Sequence, residues 1–293
     1  MTKPDEPIAL SAPLARRLAT QLCRKDPVSG EDCSWYHGLW QDLRAIGLAA
    51  APEHQADFFL SAFQRLATRR RHLRVLISGA ADYSILAYVL WACNAHRLAA
   101  DVTVLDQCDT PLFLNNWYAE RAGYKITTVR QDIFKYRPVE PFDVICSHSF
   151  LGQFPPDRRT DLIGKWSGFL TQGGTVLAVN RVRPNGAQRS VRFSPDEAQA
   201  FCATAEQKMR DLPSLTEADQ AEMLGRARIY VRRLQVFAMS ETDLTTLLEQ
   251  SGFRIDDLSS VVSTGHQDGR VSGLAIPNSA KHACVLATKK RDR

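Results

Sequence analysis

Apolar residues recur with two different periods along the chain, and the change between them divides it. From Ala12 onward, Leu14, Leu18 and Leu22 sit at helical spacing until Pro27, Ser29 and Gly30 break the pattern. A second helix starts near Asp32, carries Trp35, Tyr36, Leu39, Trp40, Leu43 and Ile46, and ends at Gly47. A third, from Pro52 to about Arg71, presents Phe58, Phe59, Ala62, Phe63 and Leu66 on one side, and residues 1–10 read as a loose leader. Beyond Arg71 the helical period gives way to short runs rich in β-branched residues: Arg74 to Ser78, Val102 to Leu105, Ile126 to Val129, Phe142 to Ser147, Thr175 to Val179, Phe253 to Val262 and Ala283 to Thr288. Helical stretches over Ser84 to Ala99, Thr110 to Ala122 and Arg158 to Leu170 separate the first five.

Strands alternating with helices predict an α/β, doubly wound, mostly parallel sheet covered on both faces. The expected organisation is an N-terminal helical region or lid over 1–71 and one sheet domain over 72–293. A helical insertion interrupts the alternation after strand five, at about 185–238. Within it Ser194 to Arg210 and Thr216 to Val236 read as helices, the first opened by Ser194-Pro195-Asp196-Glu197, and the insertion is expected over the carboxyl edge of the sheet. A helix opened by Ser240 and closed by Gly252 returns the chain to the sheet.

Composition narrows the function classes more than the fold. With 293 residues, 44% hydrophobic and 24% charged, the chain can bury a sizeable core. The net charge of +5 is mild, and the basic runs Arg69-Arg70-Arg71 and Lys289-Lys290-Arg291 read as a solvated helix end and a terminus. No interleaved aromatic and basic stripe marks a nucleic-acid groove. The seven cysteines are scattered and nowhere form a CxxC pair, so neither a disulfide framework nor a metal site is expected. The longest apolar stretch, Ile85 to Cys93, is far shorter than the roughly 20 residues of a membrane span. Without a signal segment at Met1 to Leu10, the expected location is the cytoplasm.

Ligands of an open parallel sheet bind outside the carboxyl ends of its strands. The first strand runs into Gly79-Ala80-Ala81-Asp82-Tyr83-Ser84, whose small residues let backbone approach a ligand, with N–H groups of the next helix exposed to an anion. The second ends at Asp106-Gln107, where a carboxylate can accept from both hydroxyls of a ribose or simply cap the following helix. The third leads to Gln131-Asp132-Ile133-Phe134, a carboxylate followed by apolar residues, suited to the amino edge and face of a purine. Gly79 alone is also compatible with a tight strand-to-helix turn. Together the three loop ends describe a nucleoside.

In this order the segments from about Leu73 to Val182, and from Met239 onward, resemble the class I S-adenosylmethionine-dependent methyltransferases. The strand-four segment Phe142 to Phe150, the turn Gln172-Gly173-Gly174-Thr175 and the last two strands, with Gly265, Gly269 and Pro277 in their connection, extend the likeness. It implies a Rossmann-like, seven-stranded sheet ending in a C-terminal antiparallel hairpin, with S-adenosyl-L-methionine as cofactor. It places Gly79, Ala80 and Ala81 at the methionine part, Asp106 with Gln107 at the ribose, Asp132 with Ile133 at the adenine, and Ser147 beside the cofactor. The sequence departs from the family where three alternating glycines follow an acidic residue. Only Gly79 remains, Ala81 and Tyr83 take the other two places, and Ile77 or Ser78 stands for the acid.

The implied reaction is in-line methyl transfer to an O, N or S atom of a small molecule, in which positioning supplies much of the acceleration. His148, just past strand four, is the candidate general base or an ordinary hydrogen-bonded histidine. Tyr36, His37 and Trp40 offer a substrate wall and Arg181 a partner for an anionic acceptor. Ser147-His148-Ser149-Phe150 lacks the Asn or Asp, two prolines and aromatic residue typical of enzymes that methylate exocyclic base amines, which disfavours a nucleic-acid substrate. A methyltransferase-like scaffold without turnover and an NAD(P)-dependent oxidoreductase are the competing readings, and a homodimer is compatible with either state of the site.

Overall fold

The computed structural model describes residues 2–25, 29–49, 52–183, 190–212, 215–262 and 281–291. The β-branched runs become β1 (His72–Ser78), β2 (Ala99–Asp106), β3 (Thr127–Arg130), β4 (Phe142–His148) and β5 (Leu170–Val182). A separate two-stranded ribbon pairs β6 (Ser190–Val191) with β7 (Val236–Phe237), and β8 (Phe253–Val262) and β9 (Lys281–Lys289) complete the main sheet. Its order is β3-β2-β1-β4-β5-β9-β8; β1 to β5 pair in parallel, and β9 lies antiparallel between β5 and β8. The strand order reverses between β1 and β4, which opens a crevice at their carboxyl ends. Gly265, Gly269 and Pro277 lie outside the described residues.

Helices among the described residues are α1 (Ile8–Leu22), α2 (Ser34–Ala45), α3 (Ala56–Ala67), α4 (Ser84–Ala95), α5 (Asp109–Arg121), α6 (Pro156–Phe169), α7 (Pro195–Arg210), α8 (Glu217–Arg233) and α9 (Glu241–Gln250). Helix α1 begins at Ile8, so the leader is shorter than its polar composition suggests. The insertion helices start where Ser194 and Thr216 direct, each through a reciprocal capping box with Glu197 or Asp219. Consecutive residues Val75, Leu76 and Ile77 are all fully buried because helices cover both faces of the sheet. Val75 and Ile77 pack with Phe59, Phe63 and Leu86 from α3 and α4, and Leu76 packs with Leu162, Trp166 and Leu244 from α6 and α9.

The N-terminal helices therefore divide between two layers. Helix α3 belongs to the sheet's main core, whereas Leu39 and Leu43 of α2 join Phe201, Met209, Met223 and Tyr230 of α7 and α8 in a separate cluster. That cluster is a helical cap made from the N-terminal region and the insertion after β5. Its seams are polar: Arg16 of α1 pairs with Asp42 at 3.3 Å and Asp219 at 2.6 Å. Arg226 of α8 donates to the carbonyls of Ser34 and Arg16, and it lies so close to Gly38 that a Cβ there would meet its Nη1 at 1.7 Å.

A second buried cation joins cap to sheet. Arg44 of α2 binds Glu6 of the leader at 2.6 Å and Asp82 of the loop after β1 at 2.7 Å. Replacing Arg44 with Met leaves the Asp82 carboxylate buried without its counter-ion. The expected loss is about 3 kcal/mol, near the lower end for a broken buried pair. For a chain of this size that corresponds to a fall of about 5 °C in the thermal midpoint by calorimetry, and an unchanged midpoint would show that the pair contributes nothing.

Candidate active-site cleft

A cleft of about 1330 Å³ opens at the carboxyl ends of β1 to β5, roofed by α2 and α8. Its floor begins at Gly79, where φ is +74° and a Cβ would fall 2.4 Å from the Phe150 ring. Both facts require glycine there. Ala80 and Ala81 continue the floor, with the first turn of α4 beyond them at Ser84 and Ile85.

Tyr83 does not obstruct this floor. Its ring is fully buried in the opposite direction, stacked on Tyr118 at 4.6 Å and 5°, with its hydroxyl 3.0 Å from Ser11 Oγ of α1. Asp82 fixes the same turn: Oδ1 accepts the Ser84 N–H at 2.8 Å and Oδ2 meets Arg44. Burial opposes its ionisation, but Arg44 and the Ser84 bonds outweigh it and hold the carboxyl below its ordinary value. In place of the family's acid, Ser78 is buried, its hydroxyl accepting the Trp166 indole N–H at 2.9 Å.

Asp106 joins two loop ends. Its Oδ2 accepts the Ala80 N–H at 3.0 Å and its Oδ1 the Cys108 N–H at 2.8 Å. The half-buried carboxylate lines the cleft, and burial raises its pKa against the opposing effects of His37 and the two N–H bonds. A carboxylate has about four acceptor positions, so two remain for a ligand. Gln107 beside it is exposed. Asp132 shapes the next loop by accepting the Phe134 N–H at 2.8 Å, and Asp132, Ile133 and Phe134 all line the cleft.

The far wall is aromatic and cationic. Tyr36 stacks on Trp40 at 5.3 Å and lies 6.3 Å from Tyr230 at 15°. Arg181 and Arg183 enter from the end of β5; burial, then the neighbouring Arg183, pulls Arg181 down to about 10. His148 stands at the end of β4, its Nε2–H donating to Gln55 Oε1 at 3.3 Å and its ring stacked 5.6 Å from His282. Enclosure lowers its pKa to about 4, so the imidazole is neutral near pH 7 with Nδ1 as its acceptor nitrogen.

Of the residues expected at the site, Gly79, Ala80, Ala81, Asp106, Gln107, Asp132, Ile133, Tyr36, His37, Trp40, His148 and Arg181 surround this one cleft. Ser147 does not; it is buried in β4 and its hydroxyl donates to the Ser78 carbonyl. Phe150, Asn180, Tyr230 and His282 are additions to the wall. Tyr230 was legible as a substrate contact from the insertion side, whereas Phe150 looks like a core aromatic and His282 lies some 130 residues beyond its partner.

The expectation of no metal site rested on spacing along the chain, whereas folding brings together residues that are far apart in it. Cys23, Cys33, His37 and Cys108 place their ligand atoms within 4.8 Å of one another at the edge of the cleft. The only local sequence cue is Cys33 and His37, four residues apart on one helix face.

No family model matches the chain, and no curated protein matches it in sequence. Among solved structures it is similar to the 1,6-didemethyltoxoflavin-N1-methyltransferase of Burkholderia thailandensis, crystallised with 1,6-didemethyltoxoflavin and S-adenosylhomocysteine. That match has 18% identity over 99% of this chain and 93% of the other, with a TM-score of 0.55. It is also similar to an S-adenosylmethionine-dependent methyltransferase of Clostridium acetobutylicum, with 12% identity over 85% and 94% of the two chains and a TM-score of 0.51. With its sheet order and terminal antiparallel strands, the chain has the fold of the class I S-adenosylmethionine-dependent methyltransferases.

Proposed function

We propose that the protein is an S-adenosylmethionine-dependent methyltransferase acting on a small, planar acceptor that carries an anionic group. One observation carries the reading: the Asp106 carboxylate is fastened to the Gly79-Ala80 turn, faces the cleft, and has Asp132 and Ile133 at the adjoining strand end. The donor set fits the cofactor. Asp106 offers two spare acceptor positions to the ribose hydroxyls, Asp132 and Ile133 offer an edge and a face to the adenine, and the bare backbone at Gly79 admits the amino-acid part. When bound, S-adenosylmethionine supplies a methyl group made electrophilic by its sulfonium.

The chain's own residues then have to hold an acceptor in line and keep water out. Tyr36 and Trp40 supply a stacked wall for a flat molecule, and Arg181 with Arg183 favours a negative group at its edge. His148 accepts a hydrogen bond from the acceptor's O–H or N–H at Nδ1. Because its pKa lies near 4, it orients that group and takes the proton only as the acceptor becomes acidic during transfer. The roof of α2 and α8 covers the strand ends, in keeping with a small-molecule acceptor. No helix among the described residues is long and apolar enough to cross a membrane.

Calorimetry of the full chain should detect S-adenosylhomocysteine binding. Asp106→Ala should weaken it by about 1–3 kcal/mol, roughly 5- to 150-fold, through loss of charge-assisted bonds. Binding of NAD without the sulfur nucleoside would overturn the reading in favour of an oxidoreductase. Binding of neither would favour a scaffold. Turnover is read as S-adenosylhomocysteine release across a panel of small aromatic acids bearing O, N or S acceptors. His148→Ala should lower it about tenfold or more while leaving nucleoside affinity nearly unchanged; if turnover persists, His148 has no part in the reaction.

The depressed pKa of His148 also fixes a pH dependence. The group is protonated only as pH falls towards about 4, so the wild-type rate should be flat from about pH 5.5 to 8 with respect to this residue. An acidic limb near pH 6.5 that disappears in His148→Ala would show an unshifted, exposed histidine instead.

A further inference from the structure

The cysteine and histidine cluster at the cleft edge is built from three separate elements. Cys23 follows the last residue of α1, Cys33 and His37 stand at the start of α2, and Cys108 precedes the first residue of α5. Cys23 Sγ lies 3.5 Å from Cys108 Sγ and 3.5 Å from His37 Nδ1, and Cys33 Sγ lies 3.6 Å from Cys108 Sγ. A tetrahedral zinc ion with bonds of about 2.3 Å to sulfur and about 2.0 Å to nitrogen requires S···S near 3.8 Å and S···N near 3.5 Å. These three separations need adjustments of only a few tenths of an ångström, and the remaining pairs of ligand atoms lie within 4.8 Å of one another. A disulfide would draw two of the sulfurs to about 2.05 Å and leave the third sulfur and the imidazole without a role.

Three further features point the same way. Cys33 and Cys108 occupy N-cap positions yet neither side chain caps its helix, and cysteine is not a favoured N-cap. Both sulfurs therefore stand at the positive ends of helix dipoles, which favour thiolates. Thr110 adds an outer partner, its hydroxyl 3.1 Å from Cys23 Sγ. Cys23, His37 and Cys108 are buried, while Cys33 is partly open and lines the cleft, which gives an ion a way in.

We propose that Cys23, Cys33, His37 and Cys108 bind a structural zinc ion that clamps α1 and α2 to the loop after β2. Four protein ligands close the coordination sphere, so the ion is structural rather than catalytic. On binding, the thiol protons pass to solvent and the imidazole ligates in its neutral form. This site stands apart from the methyltransferase reading and does not depend on it.

The test is metal analysis of the full chain purified under reducing conditions without chelator. About one zinc per chain is expected in the wild type and in Cys202→Ser, whose sulfur lies on α7, and less than about 0.1 in Cys108→Ser and Cys33→Ser. Cobalt added to the apoprotein should give the intense visible bands of a tetrahedral thiolate site in the wild type, lost in Cys33→Ser. Circular dichroism on that variant, whose residue is the least buried of the four, shows that it is folded. Chelation should also speed tryptic cleavage after Arg24 or Lys25 by about tenfold, as the α1–α2 connection loosens. Metal-free wild type with reduced thiols and no tetrahedral cobalt spectrum would overturn the proposal, as would a Cys23–Cys108 disulfide in protein kept from oxidants. Nucleoside binding measured alongside separates the two proposals, since either can fail while the other stands.

Discussion

The buried ion pair between Arg44 and Asp82 sets the geometry on which the cleft depends. In this fold the loop after β1 must bend sharply and still leave its backbone open to a ligand, and small residues usually permit that. Here only Gly79 adopts a positive φ, and the rest of the turn is held by side chains. Asp82 binds Arg44 and the Ser84 N–H, the Asp82 carbonyl accepts from Asn115 Nδ2 at 3.2 Å, and Tyr83 is stacked into the core. Taking two charges out of water is unfavourable unless each is fully partnered. Asp82 and Glu6 each take one terminal nitrogen of Arg44, and the turn gains a fixed shape in return. The departure from a glycine-rich loop is therefore a change of device, from backbone freedom to directional polar contacts.

Much of this architecture was legible in the chain. Alternating short apolar runs and helices specify a two-faced parallel sheet because a strand buried on both faces has no polar side. Ser194 and Thr216 mark helix starts because an N-cap hydroxyl solves a local problem of unpaired N–H groups. The placement of Asp106 and Asp132 at the cleft was readable for a similar reason: a carboxylate at the end of a parallel strand stands at the sheet's open edge. Direction and long-range assembly were not readable. Nothing local says that Tyr83 turns inward, that the Ser147 hydroxyl is used up on Ser78, or that α3 packs in the sheet layer while α2 packs with α8. Cys23 and Cys108 are 85 residues apart, and only the docking of α1 on α5 brings their sulfurs to 3.5 Å.

The cap is attached mainly through directional bonds. Arg16 and Arg226 join its helices to one another, and Arg44 joins it to the turn after β1. At the other root Arg159 of α6 donates to the carbonyls of Phe237 and Ala238, holding the ribbon from which the insertion rises. An apolar seam tolerates sliding, since methyl groups exchange neighbours at little cost, whereas a guanidinium shared among several oxygens does not. The roof is thus placed in one register over the strand ends.

Helix α2 carries that register into the site. Tyr36, Trp40 and Arg44 lie at successive intervals of four residues and so share a face, with His37 beside them. At 1.5 Å per residue, His37 and Arg44 are about 10 Å apart along the helix axis. Arg44 fastens one end to the turn after β1 through Asp82, and His37 meets Cys23 at the other, next to the Cys108 that follows Asp106. Trp40 lies between these two attachments, and Tyr36 adjoins His37 at the second. The distance of this aromatic wall from the Gly79 turn and from the Asp106 carboxylate is therefore fixed by a rigid helix anchored at both ends.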